Sequence, residues 1–141
     1  MKGIDNYEHV VQYYETDQMG IVHHSNYIRW FEEARIYYFD KIGLGYKQME
    51  EQGIISPVVA VSAKYKVSAK FYDTAEIDIK FTRYTGVRLF VSYEVKNKDT
   101  GDIFCTGESE HCFVSPEGGI LSVKRAFPEV SAILEGYVEK E

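Results

Sequence analysis

The sequence predicts an α+β fold in which one long central helix is wrapped by a curved antiparallel sheet of five to six strands. A short stretch rich in β-branched and aromatic residues comes first, one long stretch with helical spacing follows, and the period then changes to two. The helical stretch is apolar around much of its circumference, so it needs burial on more than one side, which a wrapping sheet supplies. The 141 residues contain no linker or internal repeat, so a single domain over 1–141 is expected.

The first strand is predicted over residues 9–15, where two valines and two tyrosines supply the β-branched and aromatic residues that strands favour. A polar turn starts at Thr16. Either Ser25 or Asn26 is expected to cap the following helix, because a short side-chain oxygen there accepts a backbone N–H that has no partner inside the helix.

The long helix is predicted over residues 26–41. Its apolar residues recur at spacings of three and four: Tyr27, Trp30, Phe31, Ala34, Tyr38 and Ile42. Glu32 and Arg35 lie one helical turn apart and are expected to pair with each other or across an interface. A short second helix is predicted over 46–52, ended by Gly53.

The rest of the chain reads as strands joined by turns, closed by one helix. Alternating patterns predict strands over 58–70, 75–83, 87–97 and 102–114, with a last short strand over 120–123. Pro128 is expected to open a C-terminal helix over 129–137.

Bulk composition excludes several classes of protein. A net charge of −6 argues against a general nucleic-acid binder, which needs a basic face. Cys105 and Cys112 lie outside any metal-binding or redox spacing and are expected to be free thiols in a reducing compartment. No apolar run approaches the length of a membrane span, so a soluble cytoplasmic protein is expected.

The polar turn carries the residues best suited to chemistry. Asp17 comes before Gly20, whose lack of a side chain permits a sharp turn, and His24 stands at the start of the long helix. The first N–H groups of a helix lie at the positive end of its dipole and can stabilise an oxyanion. A carboxylate opposite can attack a carbonyl directly or activate a water. By spacing alone, an Asp before a Gly is more often a turn former, and a His near a helix start is often a surface residue.

The run from Tyr14 to Tyr27 (YETDQMGIVHHSNY), followed by WFEEAR from Trp30 to Arg35, closely resembles the 4-hydroxybenzoyl-CoA thioesterase family. The bacterial Tol-Pal-associated short-chain branch is the most similar. The later AKFYDTA segment resembles that family's turn between two strands, and the resemblance runs from about Val10 to Val114.

The resemblance implies a hotdog-fold acyl-CoA thioesterase that forms homodimers with active sites at the interface, and homotetramers built from those dimers. It implies Asp17 as the catalytic acid, as nucleophile or general base, and His24 as a second catalytic residue. The carbonyl-polarising N–H is implied on or beside His24. The remaining residues expected to bind substrate are Gly20, Val22, His23, Tyr27, Val58, Val59 and Arg88. His23 stands where the family commonly has an aromatic residue.

No metal or cofactor is expected, because the coenzyme A thioester is itself the substrate. Two alternatives remain open: a hotdog dehydratase or hydratase, and an acyl-CoA-binding module without turnover. The characteristic dehydratase motifs do not occur in the sequence, and the presence of both Asp17 and His24 argues against a binding module.

Overall fold

A computed structural model describes residues 3–139. The helices and strands, in chain order, are β1 Tyr7–Val10, α1 Ser25–Lys41, α2 Tyr46–Gln52, β2 Val58–Tyr65, β3 Thr74–Tyr84, β4 Arg88–Asn97, β5 Ile103–Cys112, α3 Val123–Ala126 and α4 Pro128–Gly136. A 3-10 helix, Tyr13–Glu15, follows β1. No helix within the described range is both long and apolar enough to cross a membrane.

The five strands form one antiparallel sheet in the order β1-β3-β4-β5-β2. Irregularities in the pairing of β2, β3 and β4 mark bulges, which bend a strand and increase its twist. Strand β2 pairs with β5 on one side, and no strand within residues 3–139 pairs with its other side. The sheet therefore ends in an eight-residue edge strand with apolar side chains.

Helix α1 buries its apolar residues against one face of the sheet. Phe31 stacks on Tyr93 of β4, with 4.2 Å between ring centroids and 8° between ring planes. The large side chains of this core are fully or almost fully buried: Trp30, Phe31, Tyr38, Phe39, Ile77, Phe81, Leu89, Phe104 and Phe113. The predicted arrangement of one long helix against an antiparallel sheet is confirmed.

The predicted first strand, 9–15, is wrong in its bounds. Strand β1 ends at Val10, and the chain then closes the 3-10 helix Tyr13–Glu15. The Glu15 N–H donates to the Gln12 carbonyl at 3.0 Å, and the Gln12 N–H donates to the Glu15 carboxylate at 2.8 Å. This reciprocal pair of bonds satisfies the backbone locally, so the strand does not continue.

Two other local predictions are also wrong. The segment 120–123 is not a strand: Ile120 makes only an isolated bridge to Val114, and the Ser122 hydroxyl accepts the Arg125 N–H to start α3. Neither Ser25 nor Asn26 caps α1 as predicted. Ser25 is the first residue of the helix, and the Asn26 amide donates to the Glu15 carbonyl instead.

A buried polar chain connects α1 with β4 and β5. Arg35 donates to the hydroxyls of Tyr46 and Tyr93, at 3.4 and 3.0 Å, and does not pair with Glu32 of its own chain; pairing across an interface stays a prediction. Because the Tyr93 oxygen accepts from Arg35, its hydroxyl hydrogen is left to donate to Ser109 (2.5 Å), and the Ser109 hydroxyl can in turn donate to Nε2 of His111 (2.7 Å). This direction of bonding requires a neutral His111 with its proton on Nδ1.

Burial first, and the Arg35 charge second, lower the pKa of His111 to about 4. Because its ordinary value is 6.5, the unfolded chain binds more protons than the folded chain between pH 6.5 and pH 4. Stability is therefore complete above this window and falls as the pH falls through it. We expect the free energy of unfolding to drop between pH 7 and pH 5 by about 2 kcal/mol more in wild type than in His111→Gln. Urea unfolding at both pH values checks this, and equal drops in the two proteins would exclude His111 as the source.

Candidate active site

The turn before α1 holds Asp17 in a fixed backbone conformation. The Asp17 N–H donates to the Ile21 carbonyl, and the Gly20 N–H donates to the Asp17 carbonyl, both at 2.9 Å. Gly20 has a φ of 77°, a left-handed conformation that favours glycine. Oδ1 of Asp17 accepts the Met19 N–H at 2.8 Å, whereas Oδ2 has no hydrogen-bond partner within residues 3–139. Asp17 is thus a turn former that still has a free carboxylate oxygen.

The start of α1 leaves one backbone donor unused. The Ser25 N–H donates to Nδ1 of His23 at 3.2 Å, the Asn26 N–H to the His23 carbonyl, and the Tyr27 N–H to the His24 carbonyl. The His23 N–H donates to the carbonyl of Glu15 at 2.9 Å. The His24 N–H has no acceptor among the described residues. An unpaired donor at the N-terminus of a 17-residue helix is suited to bind a developing negative charge.

The two histidines stack on each other at the surface, with 4.3 Å between ring centroids. His24, rather than Ser25 or Asn26, is the cap residue of α1, and its side chain makes no capping hydrogen bond. Nδ1 of His23 lies 2.8 Å from the Ser25 hydroxyl and accepts the Ser25 N–H at 3.2 Å. The Tyr65 hydroxyl, at the end of β2, donates to the His24 carbonyl at 3.4 Å. The edge strand therefore reaches the turn at this one end.

Two of the predicted substrate-binding residues lie beneath the turn and are buried in this chain. Val22 is in the core, and its N–H donates to the Ala69 carbonyl at 2.9 Å. Tyr27 is 3% exposed, packs on Trp30 and Tyr65, and accepts the Ala69 N–H on its hydroxyl at 3.3 Å. Both support the floor of the site, and their contact with substrate stays a prediction.

The chain does not bring the other predicted residues to the turn. Val58 and Val59 are 48% exposed at the far end of β2, about 20 Å along the strand from Tyr65. Arg88 lies at the start of β4, where it forms an ion pair with Glu110. These three residues could contact a substrate held at the turn only through a second chain.

Sequence reasoning missed Glu15, which is 4% exposed directly below the turn. Its carboxylate accepts the Trp30 indole N–H at 2.8 Å and faces Nε2 of His9 at the same distance. One signal was available: a tryptophan on the buried face of the helix needs an acceptor for its indole N–H. Glu15, an acidic residue two positions before Asp17, is a candidate for that acceptor in the sequence.

Comparison with known proteins agrees with this fold. The model of the thioesterase-like superfamily matches residues 11–134. The provisionally assigned acyl-CoA thioesterase YneP of Bacillus subtilis is 34% identical over 120 residues, which are 84% of this chain and 86% of that protein. A provisionally assigned esterase of Aquifex aeolicus is 33% identical over 124 residues, 88% of this chain and 94% of that protein.

A solved structure is also similar. The DHNA-CoA thioesterase of Staphylococcus aureus superposes with a TM-score of 0.88 at 32% identity, covering 94% of this chain and 89% of that one. Because the family model matches far more than half of the chain, the chain belongs to the thioesterase-like superfamily, which confirms the predicted hotdog fold and the predicted class of enzyme, a thioester hydrolase.

Proposed function

We propose that the chain hydrolyses acyl-CoA thioesters with Asp17 as the attacking or activating group and the His24 N–H as the oxyanion donor. One observation carries this proposal. A carboxylate with one free oxygen and an unpaired helix N-terminal N–H lie on the same short turn, at residues 17 and 24. A thioester carbonyl placed between them would meet an electron-rich oxygen on one side and a hydrogen-bond donor on the other.

Two routes are compatible with this arrangement. In the first, Oδ2 of Asp17 bonds to the carbonyl carbon, the carbon–sulfur bond breaks, the thiolate leaves and water hydrolyses the resulting mixed anhydride. In the second, Asp17 takes a proton from the water that attacks. Repeated turnover in ¹⁸O-labelled water tests the first route, because the label enters the Asp17 carboxylate only when water attacks the aspartyl carbon of the anhydride. The ring of His24 is proposed to assist the departing thiolate, and neither route needs a metal or cofactor.

The acyl group is proposed from the relatives, and a substrate panel tests it. The Staphylococcus aureus relative is named for a bicyclic aromatic acyl group, which supports an aromatic substrate such as the 4-hydroxybenzoyl group over a short aliphatic one. Butyryl-, palmitoyl-, 4-hydroxybenzoyl- and 1,4-dihydroxy-2-naphthoyl-CoA are offered in turn, and the free thiol is measured. The highest kcat/KM is expected with an aromatic substrate. Binding of every substrate without release of thiol would favour a non-catalytic binding module.

The site is proposed to be completed by a second copy of the chain paired through β2. This edge strand has one unpaired side and exposed apolar residues: Val58, Val59, Val61 and Tyr65. Unpaired strand edges favour pairing with another strand. Two copies related by a two-fold axis at the middle of β2 would pair antiparallel, so that Val58 of one chain lies opposite Tyr65 of the other. Val58 and Val59, which lie far from the turn of their own chain, would then lie near the turn of the partner chain.

Val61→Lys is expected to separate the dimer, because each chain would place a new positive charge on the paired edge, close to the two-fold axis. We expect the mass measured by light scattering to fall to that of one chain, and kcat/KM to fall at least about tenfold. The control is Ile120→Lys, which places the same charge on an exposed isoleucine outside the sheet and should change neither value. A Val61→Lys monomer with full activity would contradict the shared site. The wild-type mass also checks the expected homotetramer.

A cytoplasmic location is proposed on the state of the cysteines. Cys105 and Cys112 are both free thiols, as expected for a reducing compartment. Burial raises the pKa of the Cys105 thiol to about 11, which keeps it protonated and unreactive.

A further inference from the structure

A partly buried cluster of ionisable side chains lies beneath the candidate site and has no part in the chemistry proposed above. It is formed by Glu15, His9 and Glu33, and the ring of His9 also packs against Trp30 in a tilted arrangement, with 4.8 Å between ring centroids. Nε2 of His9 is 2.8 Å from Oε1 of Glu15, and Nδ1 is 3.0 Å from Oε1 of Glu33. An imidazole thus bridges a carboxylate under the turn and a carboxylate on α1.

Glu15 is the centre of this cluster because every group around its carboxylate donates to it. The Gln12 N–H donates to Oε1 and the Trp30 indole N–H to Oε2, both at 2.8 Å, and neither donor can accept. Burial, the largest influence, raises the pKa of Glu15, but the hydrogen bonds from Gln12, His9 and Trp30 together lower it below its ordinary value. Glu15 is therefore ionised, and Nε2 of His9 must carry a proton.

The other nitrogen of His9 lies against a carboxylate that is itself held in place. Oε1 of Glu33 accepts the Tyr7 hydroxyl at 2.8 Å. Burial first, and then the hydrogen bond and charge of Glu33, raise the pKa of Tyr7 to about 12, so that hydroxyl keeps its proton. Nδ1 of His9 contacts the same Glu33 oxygen at 3.0 Å. The ring of His9 is therefore held from both sides, by Glu15 and by Glu33.

The backbone of Glu15 connects this cluster with the catalytic turn. Its carbonyl accepts the N–H of His23 and the side-chain amide of Asn26, both at 2.9 Å. These two bonds hold the start of α1, where the free N–H of His24 lies. Asp17 follows Glu15 by only two residues. The position of Glu15 therefore determines how Asp17 and the His24 N–H are placed relative to each other.

We propose that Glu15 is a positioning residue for the hydrolysis: its contacts with His9 of β1 and Trp30 of α1 hold it in place, and it sets the placement of Asp17 against the His24 N–H. This inference rests on the proposed function. A displacement of catalytic groups by a fraction of an ångström lowers the rate of the chemical step more than the binding of substrate. A substitution of Glu15 is thus expected to lower kcat without a matching change of KM.

The test compares Glu15→Gln with Tyr84→Phe. Glutamine has the size of glutamate, but its amide has a single oxygen. Its NH₂ group must therefore face either the Trp30 indole N–H or the Gln12 N–H, and in both orientations two donors point at each other. Tyr84→Phe removes a partly buried hydrogen bond to Ser131 (2.7 Å) in another part of the fold. Below the melting temperature of both variants, we expect Glu15→Gln to lose at least about tenfold in kcat with KM within about threefold of wild type, and Tyr84→Phe to keep both values. Equal kcat in Glu15→Gln and wild type would overturn the proposal.

Two readouts do not depend on activity, so a failure here is distinct from a failure of the proposed function. The ring ¹⁵N shifts of His9 in the wild type are expected to show a proton on Nε2, the nitrogen that faces Glu15. Amide spectra of Glu15→Gln are expected to shift for residues 16–26, with residues 84–131 largely unchanged. A His9 ring without a proton on Nε2, or unmoved amides at 16–26, would refute the positioning role even if Asp17 proves catalytic.

Discussion

Asp17→Asn is expected to lower kcat on the preferred acyl-CoA at least about a hundredfold. Asparagine has the size of aspartate but can neither attack a carbonyl nor take a proton from water. Its amide oxygen can still accept the Met19 N–H, so the turn should keep its conformation. The loss should therefore appear in kcat, with little change in KM or stability. Steady-state hydrolysis with detection of the free thiol measures it.

The matched control is Asp73→Asn. Asp73 is also a turn former: its Oδ2 accepts the Lys70 N–H at 2.9 Å, as Oδ1 of Asp17 accepts the Met19 N–H. The same chemical change at this second turn should leave kcat at the wild-type value. If Asp17→Asn keeps the wild-type kcat, Asp17 is only a structural turn residue and the proposed mechanism is wrong. A loss in both variants would indicate a general effect of turn perturbation.

Gly107→Ala is expected to lower the free energy of unfolding by about 3 kcal/mol, a large fraction of the stability of a small domain. A Cβ atom at position 107 would lie 2.5 Å from two ring carbons of Phe31 and 2.7 Å from the Ser62 carbonyl oxygen. Phe31 cannot easily move aside, because its ring stacks on Tyr93. The carbonyl belongs to β2, which is paired with β5 at this point. Both neighbours are thus held by other contacts, and the added methyl group must distort the core or the sheet.

Gly136→Ala is the control for this substitution. Position 136 ends α4, and a Cβ there would meet nothing within 4 Å. We expect a change of at most about 1 kcal/mol, towards greater stability, because alanine favours the helix and loses less backbone entropy. Urea unfolding followed by the fluorescence of Trp30 measures both variants. Equal stabilities would mean that Phe31 and the sheet relax around the new methyl group.

The sequence determined the main elements where the hydrophobic period is long and regular. Helix α1, predicted at 26–41, is observed at Ser25–Lys41, and the short helix α2 has the predicted bounds. Strands β3 and β4 also lie within one residue of their predicted limits, because one face of each is buried and the period of two records that. The predicted strand 58–70 is shorter in the structure and ends at Tyr65.

The sequence also located the candidate site, because Asp17, Gly20, His23 and His24 are close in the chain and a single turn contains them all. Only the tertiary structure decided how that turn is held. Strand β1 ends early because the carboxylate of Glu15 bonds with Gln12, His9 and Trp30.

The same holds for the other polar contacts in the core. Arg35 donates to Tyr93, 58 positions away in the chain, instead of pairing with Glu32 one helical turn before it. The hydrophobic period of a segment indicates which face of the helix or strand is buried. The sequence by itself therefore determined the buried faces. The partner of a buried polar group is set by which distant segments meet it, since a desolvated donor or acceptor must find a bond wherever the fold offers one. For that reason Glu15 and Arg35 became interpretable only in the folded chain.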